Sequence, residues 1–253
     1  GYTSQQTTRE REINQDFFVR FTMPVSDFNI NAIAGFNGNE RRYSYLYGYV
    51  ENLTIPTFYD VSNSSEIPTV SQYQWKRRLY GLYGQAEVAW KNMLYLTVTG
   101  RNDWSSTLPI ENRSYFYPSV SGAIVFTELM GEARPDWLTF GKVRASWAEV
   151  GKDTNPYETA TYLWPVGTYL EGVVGLGNTW TRGNPYLKPE KGRAFEVGLE
   201  LRFIQNRLKF DITYYRNKAI NQILSPRGPQ STGYIFCSFN AGNVQNKGLE
   251  ISL

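Results

Sequence analysis

Apolar and polar residues alternate along much of this chain with a period of two, the period of an extended strand. The clearest case is RAFEVGLELRFIQNRLKFDITYYRN, residues 193–217. Phe195, Val197, Leu199, Leu201 and Phe203 share one face, and Ala194, Glu196, Gly198, Glu200 and Arg202 share the other. After IQNR the phase resumes, with Leu208, Phe210, Ile212 and Tyr214 against Lys209, Asp211, Thr213 and Tyr215. The pattern predicts a hairpin with one apolar face.

The same reading predicts three more hairpins. Phe17, Val19, Phe21 and Met23 precede the turn PVSD (24–27), and Phe28, Ile30, Ala32, Ala34 and Phe36 follow it. Tyr80, Leu82, Ala86, Val88 and Trp90 precede a turn near KNM (91–93), and Leu94, Leu96 and Val98 follow. Pro118, Val120, Ile124 and Phe126 lead through a turn ending near residue 136 to Val143, Ala145 and Trp147. A ninth strand begins in NKGLEISL (246–253).

Long connections separate the hairpins, at about residues 38–75, 103–114, 151–192 and 218–245. Short and long connections therefore alternate, as in an up-and-down membrane barrel with short periplasmic turns and long extracellular loops. Loops beyond about 12–15 residues are uncommon in compact domains and usually functional. The alternating runs extend for about 9–13 residues, enough to cross a bilayer at a tilt, against about 5–6 for an ordinary soluble strand. Periodicity alone leaves a soluble sandwich open, but strand length and loop alternation favour lipid. In that case Phe195–Phe203 and Leu208–Tyr214 face the bilayer at alternate positions. Glu196, Glu200, Arg202, Lys209 and Asp211 then face a plugged lumen.

Composition narrows the chemistry. The chain has no histidine and a single cysteine, Cys237, which excludes Ser-His-Asp and Cys-His catalysis and His- or thiolate-ligated zinc. Cys237, within YIFCSF, reads as a small buried hydrophobe. Lys and Arg total 26 against 23 acidic residues and are spread out, so no nucleic-acid footprint is present. No run of about 18 apolar residues offers a transmembrane helix, and the polar start GYTSQQTTRERE has no signal-peptide core. Nineteen Tyr and seven Trp suit a surface that meets sugars, peptides or a membrane interface. GVVGLGN (172–178) lacks a strand-then-helix context and reads as a loop.

Six ordered stretches resemble one family, the SusC/RagA-type TonB-dependent outer-membrane transporters of Bacteroidetes-like bacteria. They are GRNDWSSTLP (100–109), SYFYPSVSGAIVFTEL (114–129), FGKVRASWAEVGKDTNPY (140–157), GNTWTRGNPYLKPEKGRAFEVGLELRF (177–203), LKFDITYYRNKAINQIL (208–224) and NAGNVQNKGLEISL (240–253). The resemblance implies an all-β fold, an antiparallel up-and-down transmembrane β-barrel segment of about 8–9 strands. It implies that residues 1–253 are an internal part of a barrel domain, without plug, signal sequence and remaining strands. The implied function is TonB-dependent import of oligosaccharides or peptides across the outer membrane, with no enzyme activity and no cofactor. The implied partners are a SusD-like surface lipoprotein, the TonB complex acting through the plug, outer-membrane lipid and the glycan or peptide cargo.

Loop aromatics are then the expected substrate- or lid-facing residues: Tyr43, Tyr45, Tyr47, Tyr49, Tyr59, Trp104, Tyr162, Trp164, Tyr169 and Trp180. Trp104, Tyr115, Phe116 and Tyr117 also suit an interfacial aromatic girdle, and NPYLKPEKG suits a structural strand start. The alternative readings are a soluble β-sandwich carbohydrate-binding module and a glycoside hydrolase. A hydrolase would need paired carboxylates, with Asp103, Glu149 and Asp153 as candidates.

Overall fold

The computed structural model describes residues 1–169 and 172–253, with side chains described outside 166–171. In chain order the strands are β1 (Tyr2–Val25), β2 (Phe28–Glu51), β3 (Thr69–Trp90), β4 (Leu94–Ser105), β5 (Ser114–Val125) and β6 (Leu138–Lys152). They continue with β7 (Leu163–Tyr169), β8 (Val173–Asn178), β9 (Thr181–Arg182), β10 (Glu190–Phe203) and β11 (Leu208–Ile220). The last are β12 (Ile223–Leu224), β13 (Phe236–Cys237), β14 (Phe239–Asn240) and β15 (Val244–Ser252). One nine-stranded sheet has the order β1-β2-β3-β4-β5-β6-β10-β11-β15. Sequential neighbours pair throughout, which is the up-and-down topology expected, and the three two-stranded sheets belong to the long connections.

The chain forms two compact units, Gly1–Gln15 with Gly38–Leu79, and Asp16–Asn37 with Tyr80–Leu253. In the second unit, antiparallel register carries the apolar phase from strand to strand, because directly paired residues point to the same face. One row runs Leu94, Ile124, Val143, Leu199, Ile212, Ile251. Another runs Val98, Val120, Trp147, Phe195. These rows are uncovered: Ile124 is 43% exposed, Val143 40%, Val120 39% and Phe195 42%, whereas Glu200 on the opposite face is 8% exposed. Burial is inverted relative to a soluble sandwich, whose apolar rows would lie under a second sheet. The expected assignment of Phe195–Phe203 and Leu208–Tyr214 to a lipid-facing surface fits this geometry.

Short turns close one end of each hairpin. Left-handed residues make them: Ser26 between β1 and β2, Lys91 and Asn92 between β3 and β4, and Ile204, Gln205 and Asn206 between β10 and β11. The β5–β6 connection is different, for it holds a short helix, α1 (Phe126–Met130), and a 3-10 turn at Gly131–Ala133. Thr127 of α1 is buried and its hydroxyl accepts from the Gly141 amide at 3.1 Å.

The structure corrects several boundaries. Residues 38–75 are not one loop, since β2 continues to Glu51 and β3 begins at Thr69, leaving 52–68 as the connection. The polar opening GYTSQQTTRERE is strand almost from its start, and β1, β2 and β3 are 24, 24 and 22 residues long, beyond the expected 9–13. The physical reason is that a ladder does not need apolar side chains to continue into water. Such a strand loses its alternation and with it the sequence signal. The connections at 151–192 and 218–245 also carry short strands, which pair as β7 with β8, β9 with β13 and β12 with β14.

An arginine on the apolar face tests the assignment. In the full-length protein refolded into phospholipid vesicles, Leu199→Arg should lower stability by about 2–4 kcal/mol, the cost of Arg near the bilayer midplane. Glu196→Arg, on the polar face, should cost much less. Equal denaturant midpoints for the two variants would reject a lipid-facing Leu199.

Candidate functional site

The sequence YSYLYGY places tyrosine at every second position, and in the first unit this makes a comb along β2. Tyr45 and Tyr47 have centroids 6.2 Å apart and planes within 6°, and Tyr47 and Tyr49 are 6.5 Å apart within 10°. Tyr2 of β1 extends the comb, 6.1 Å from Tyr49. Tyr43 stacks on Trp75 of β3 at 5.7 Å, and Arg41 lies 5.7 Å over the Trp75 ring while pairing with Glu10. The tyrosine rings face one another along the comb, so what they offer a ligand is ring edges and hydroxyls. The Tyr49 hydroxyl donates to the Glu51 carboxylate at 2.7 Å, which raises its pKa.

Glu40, also in the first unit, gathers three cations. Its carboxylate pairs with Arg42 at 2.6 Å, Arg78 at 2.7 Å and Lys76 at 3.1 Å. Glu40 lies past the first eleven residues of β2, beyond the length needed to cross a bilayer. Hydrogen bonds from Arg78, then Lys76 and Arg42, hold its pKa at about 2, below the ordinary 4.5. In the 52–68 connection, Asn63 is buried and staples the loop. Its amide donates to the Ile55 and Phe58 carbonyls at 2.9 and 2.7 Å, and its oxygen accepts from the Ile55 amide at 3.0 Å. Tyr59 stands out from that loop, 70% exposed.

In the second unit the long connections fold on buried polar anchors. Ser105, Thr107 and Asp153 are all buried, and the Asp153 carboxylate accepts from the Ser105 hydroxyl at 2.5 Å and from Thr107 at 3.0 Å. This knot joins the end of β4 to the residue after β6, and it explains why RNDWSST and GKDTNPY belong together. Asn240 does a similar job for NPYLKPE: its side-chain amide accepts from the Lys188 N–H and donates to the Lys188 carbonyl, each at 2.8 Å. It also donates to the Asn221 carbonyl at 2.8 Å. Leu187 beside it is completely buried. These contacts fit the structural reading of NPYLKPEKG.

The polar face of the sheet is held by arginines that reach across glycines. Arg144 of β6 lies over Gly198 of β10, which is its direct partner, and makes a bidentate pair with Asp211 of β11 at 3.0 and 3.2 Å. It also donates to Thr213 at 2.7 Å. A Cβ on Gly198 would lie 2.6 Å from the Arg144 Nε, so the bridge requires a residue without one. Gly81 plays the same part for Arg101 and Asp103, whose atoms a Cβ there would meet at 2.4 Å. Arg101 pairs with Asp103 at 2.7 Å, lies 5.7 Å over Tyr83 and reaches Asn37 at 3.5 Å, while the Tyr117 hydroxyl donates to Asp103 at 2.5 Å. Lys142, Arg144, Glu196, Tyr95, Thr97 and Ser121 line a groove of about 310 Å³ on this face.

Of the expected loop aromatics, the structure brings Tyr45, Tyr47 and Tyr49 together and sets Tyr43 against Trp75. All four stand on a strand, not in a loop. In the second unit Tyr162 packs edge-on against Tyr157 at 6.0 Å, Trp164 donates to the Asn178 carbonyl at 3.0 Å, and Trp180 is 69% exposed. Trp104 has the strand phase of Leu96 and Val98. The side chain of Tyr169 lies outside the described residues. Tyr2, Trp75 and Arg41 were not singled out by sequence, since their contacts depend on register. The candidate carboxylates of a hydrolase have separate engagements: Asp103 with Arg101, Glu149 with Arg193, and Asp153 in its knot.

A sheet with an uncovered apolar face, an ion-paired polar face, short turns at one end and folded connections at the other is the wall of an outer-membrane β-barrel. The chain belongs to the family described as TonB dependent receptor-like, beta-barrel, which it matches over residues 1–253. It is similar to TonB-dependent receptor P26 of Formosa agariphila, 27% identical over 263 residues, covering 100% of this chain and 26% of the relative. TonB-dependent receptor SusC of Bacteroides thetaiotaomicron is 21% identical over 262 residues, again covering 100% of this chain and 26% of the relative. A chain of the RagAB peptide transporter superposes with a TM-score of 0.85 at 19% identity, covering 98% of this chain and 28% of that one. The chain thus spans about a quarter of the length of the curated relatives it matches. The resemblance to SusC/RagA-type transporters, the barrel-segment fold and the outer-membrane location all hold.

Two outcomes check this construction. In the full-length protein, Asp153→Ala should leave the buried Ser105 and Thr107 hydroxyls short of an acceptor, a loss of about 1–3 kcal/mol, read as faster protease nicking of residues 154–189. Unchanged nicking would reject the knot. Glu40 should stay ionised at pH 4, because its folded pKa lies below the unfolded value. The stability it gives is present above about pH 4.5 and is lost as pH falls toward 2. Difference infrared spectra of wild type and Glu40→Gln should show no Glu40 protonation at pH 4.

Proposed function

We propose that residues 1–253 form an internal portion of the barrel wall and cargo-facing surface of a SusC-like importer, which carries oligosaccharides or peptides across the outer membrane. A SusD-like surface lipoprotein covers the extracellular connections, and TonB supplies energy through a plug domain carried by the rest of the protein. The importer performs no bond chemistry. The carrying observation is the aromatic comb of Tyr45, Tyr47 and Tyr49, at every second position of β2. On this reading it meets cargo or lid on the lumen side. The likeness to a chain of the RagAB peptide transporter supports including peptides among the cargo.

Hydroxyl edges spaced about a residue pair apart suit a chain-like ligand rich in donors and acceptors, and both glycans and peptides meet that requirement. Aromatic positions carry a disproportionate share of binding energy at interfaces. Tyr59, Tyr162, Trp164 and Trp180, on the extracellular connections, are assigned to the lid contact.

The test uses the full-length transporter with its lipoprotein. Tyr45→Ala/Tyr47→Ala should weaken retention of labelled oligosaccharide or peptide pools by tenfold or more, about 1.4 kcal/mol. The folded barrel should survive, as judged by its heat-dependent gel mobility. Unchanged uptake and unchanged lipoprotein binding in that variant would overturn the role given to the comb.

A further inference from the structure

We propose that the outward face of β10, β11 and β15 carries a binding patch for the phosphate groups of outer-leaflet lipid, built from Arg193, Arg216 and Lys218 with Lys191 and Lys247 at its margins. The patch lies in the second unit and depends only on the outer-membrane setting, not on the cargo.

Register identifies it. Phe195 and Trp147 are direct partners in the topmost apolar row, and Arg216 is the residue paired with Phe195 on β11. One step further along, Arg193 pairs with Lys218 on one side and Glu149 on the other. Arg216 pairs in turn with Lys247. Directly paired residues share a face, so these cations continue the lipid-facing phase of Phe195, Val197 and Tyr214. Arg193 stands ten residues from the end of β10 at Phe203. At the usual strand tilt that is about 25 Å, the height of the apolar band of such barrels. The switch from apolar to basic residues thus falls where hydrocarbon gives way to headgroups.

Charge there is poorly compensated. On the outward phase of these strands and β6 the five cations meet one carboxylate, Glu149, whose partner is Arg193. Arg216 is oriented by a neutral group: its Nε and Nη2 donate to the Gln245 Oε1 at 3.1 and 2.8 Å. That contact occupies one edge of the guanidinium and leaves its other edge for a ligand. Among the described residues, no carboxylate forms an ion pair with Lys218 or Lys247. Cations at a membrane boundary extend toward headgroups, and Arg recognises phosphate oxygens by a planar, two-pronged contact. An outer-leaflet lipid bearing phosphate supplies both the charge and the position.

The experiment purifies the full-length transporter from outer membranes in mild detergent and measures co-purifying phosphorylated glycolipid by mass spectrometry. Arg193→Gln/Arg216→Gln/Lys218→Gln should retain at least tenfold less than wild type, each cation near an anionic surface being worth about fivefold. Lys142→Gln on the polar face should retain the wild-type amount. Heat-dependent gel mobility reports folding, and the single variant Arg216→Gln, which loses only the contact to the neutral Gln245, should show a threefold or greater loss if the triple variant does not fold. Wild-type lipid levels in the folded triple variant, or in Arg216→Gln alone, would overturn the patch. So would displacement of the lipid by inorganic phosphate at equal concentration, which would mark a free-anion site. Cargo uptake should be unchanged in Arg216→Gln, so failure here and failure of the import reading are separable.

Discussion

Backbone hydrogen bonding in hydrocarbon governs this structure. A strand inside a bilayer has no water to satisfy its N–H and C=O groups, so each must pair with a neighbouring strand. An uninterrupted antiparallel ladder follows, from Lys191 with Ile220 to Phe203 with Leu208 in the β10–β11 pair. The ladder fixes side-chain phase, and the phase decides that Leu199, Val143, Ile212 and Ile251 form one row. Because lipid rewards apolar contact on the outside, the row needs no covering sheet. The polar face then takes on the part that a hydrophobic core plays elsewhere.

Ion pairs and hydrogen bonds on that face cross more than one strand, and glycines make this possible. Arg144 spans β10 to reach Asp211 because Gly198 leaves its path clear, and Gly81 leaves room for Arg101 and Asp103. A guanidinium lying flat on a strand gains planar hydrogen bonds to a carboxylate, and charge-assisted pairs of this kind exceed neutral hydrogen bonds in strength. Larger residues at positions 81 or 198 would lift the arginine and separate it from its acid. Gly198 in GLELRF is therefore part of the wall's ion pairing, not a gap in its alternation.

The parts legible in the sequence are those where lipid imposes the period. Phe17 to Met23, Leu94 to Val98 and Phe195 to Phe203 alternate because one face meets hydrocarbon, and their strands were placed from pattern alone. Residues 2–15 and 38–51 lack that apolar alternation, so the pattern predicts no strand in the first and a loop over the second, where the structure has β1 and β2. YSYLYGY nevertheless carries a period of two in its tyrosines, a signal that hydropathy hides because tyrosine scores as neither apolar nor polar. Trp75, Arg41 and Tyr2 could not be found in this way, since their contacts arise from pairing between strands distant in sequence. The buried knot of Ser105, Thr107 and Asp153 shows the same limit, for it joins residues nearly fifty positions apart.

This division has a consequence for where function can reside. Residues facing hydrocarbon are constrained by one requirement, and their chemistry is exhausted by it. Residues beyond the bilayer keep the rigid ladder but are released from the apolar phase, so every second position becomes available for recognition. The comb of Tyr45, Tyr47 and Tyr49 uses this freedom: strand geometry sets ring spacing near 6.2–6.5 Å without any dedicated loop structure. On the function proposed above, extended strands of this kind are a preorganised surface, whereas loops of the same length would have to be ordered on binding at an entropic cost.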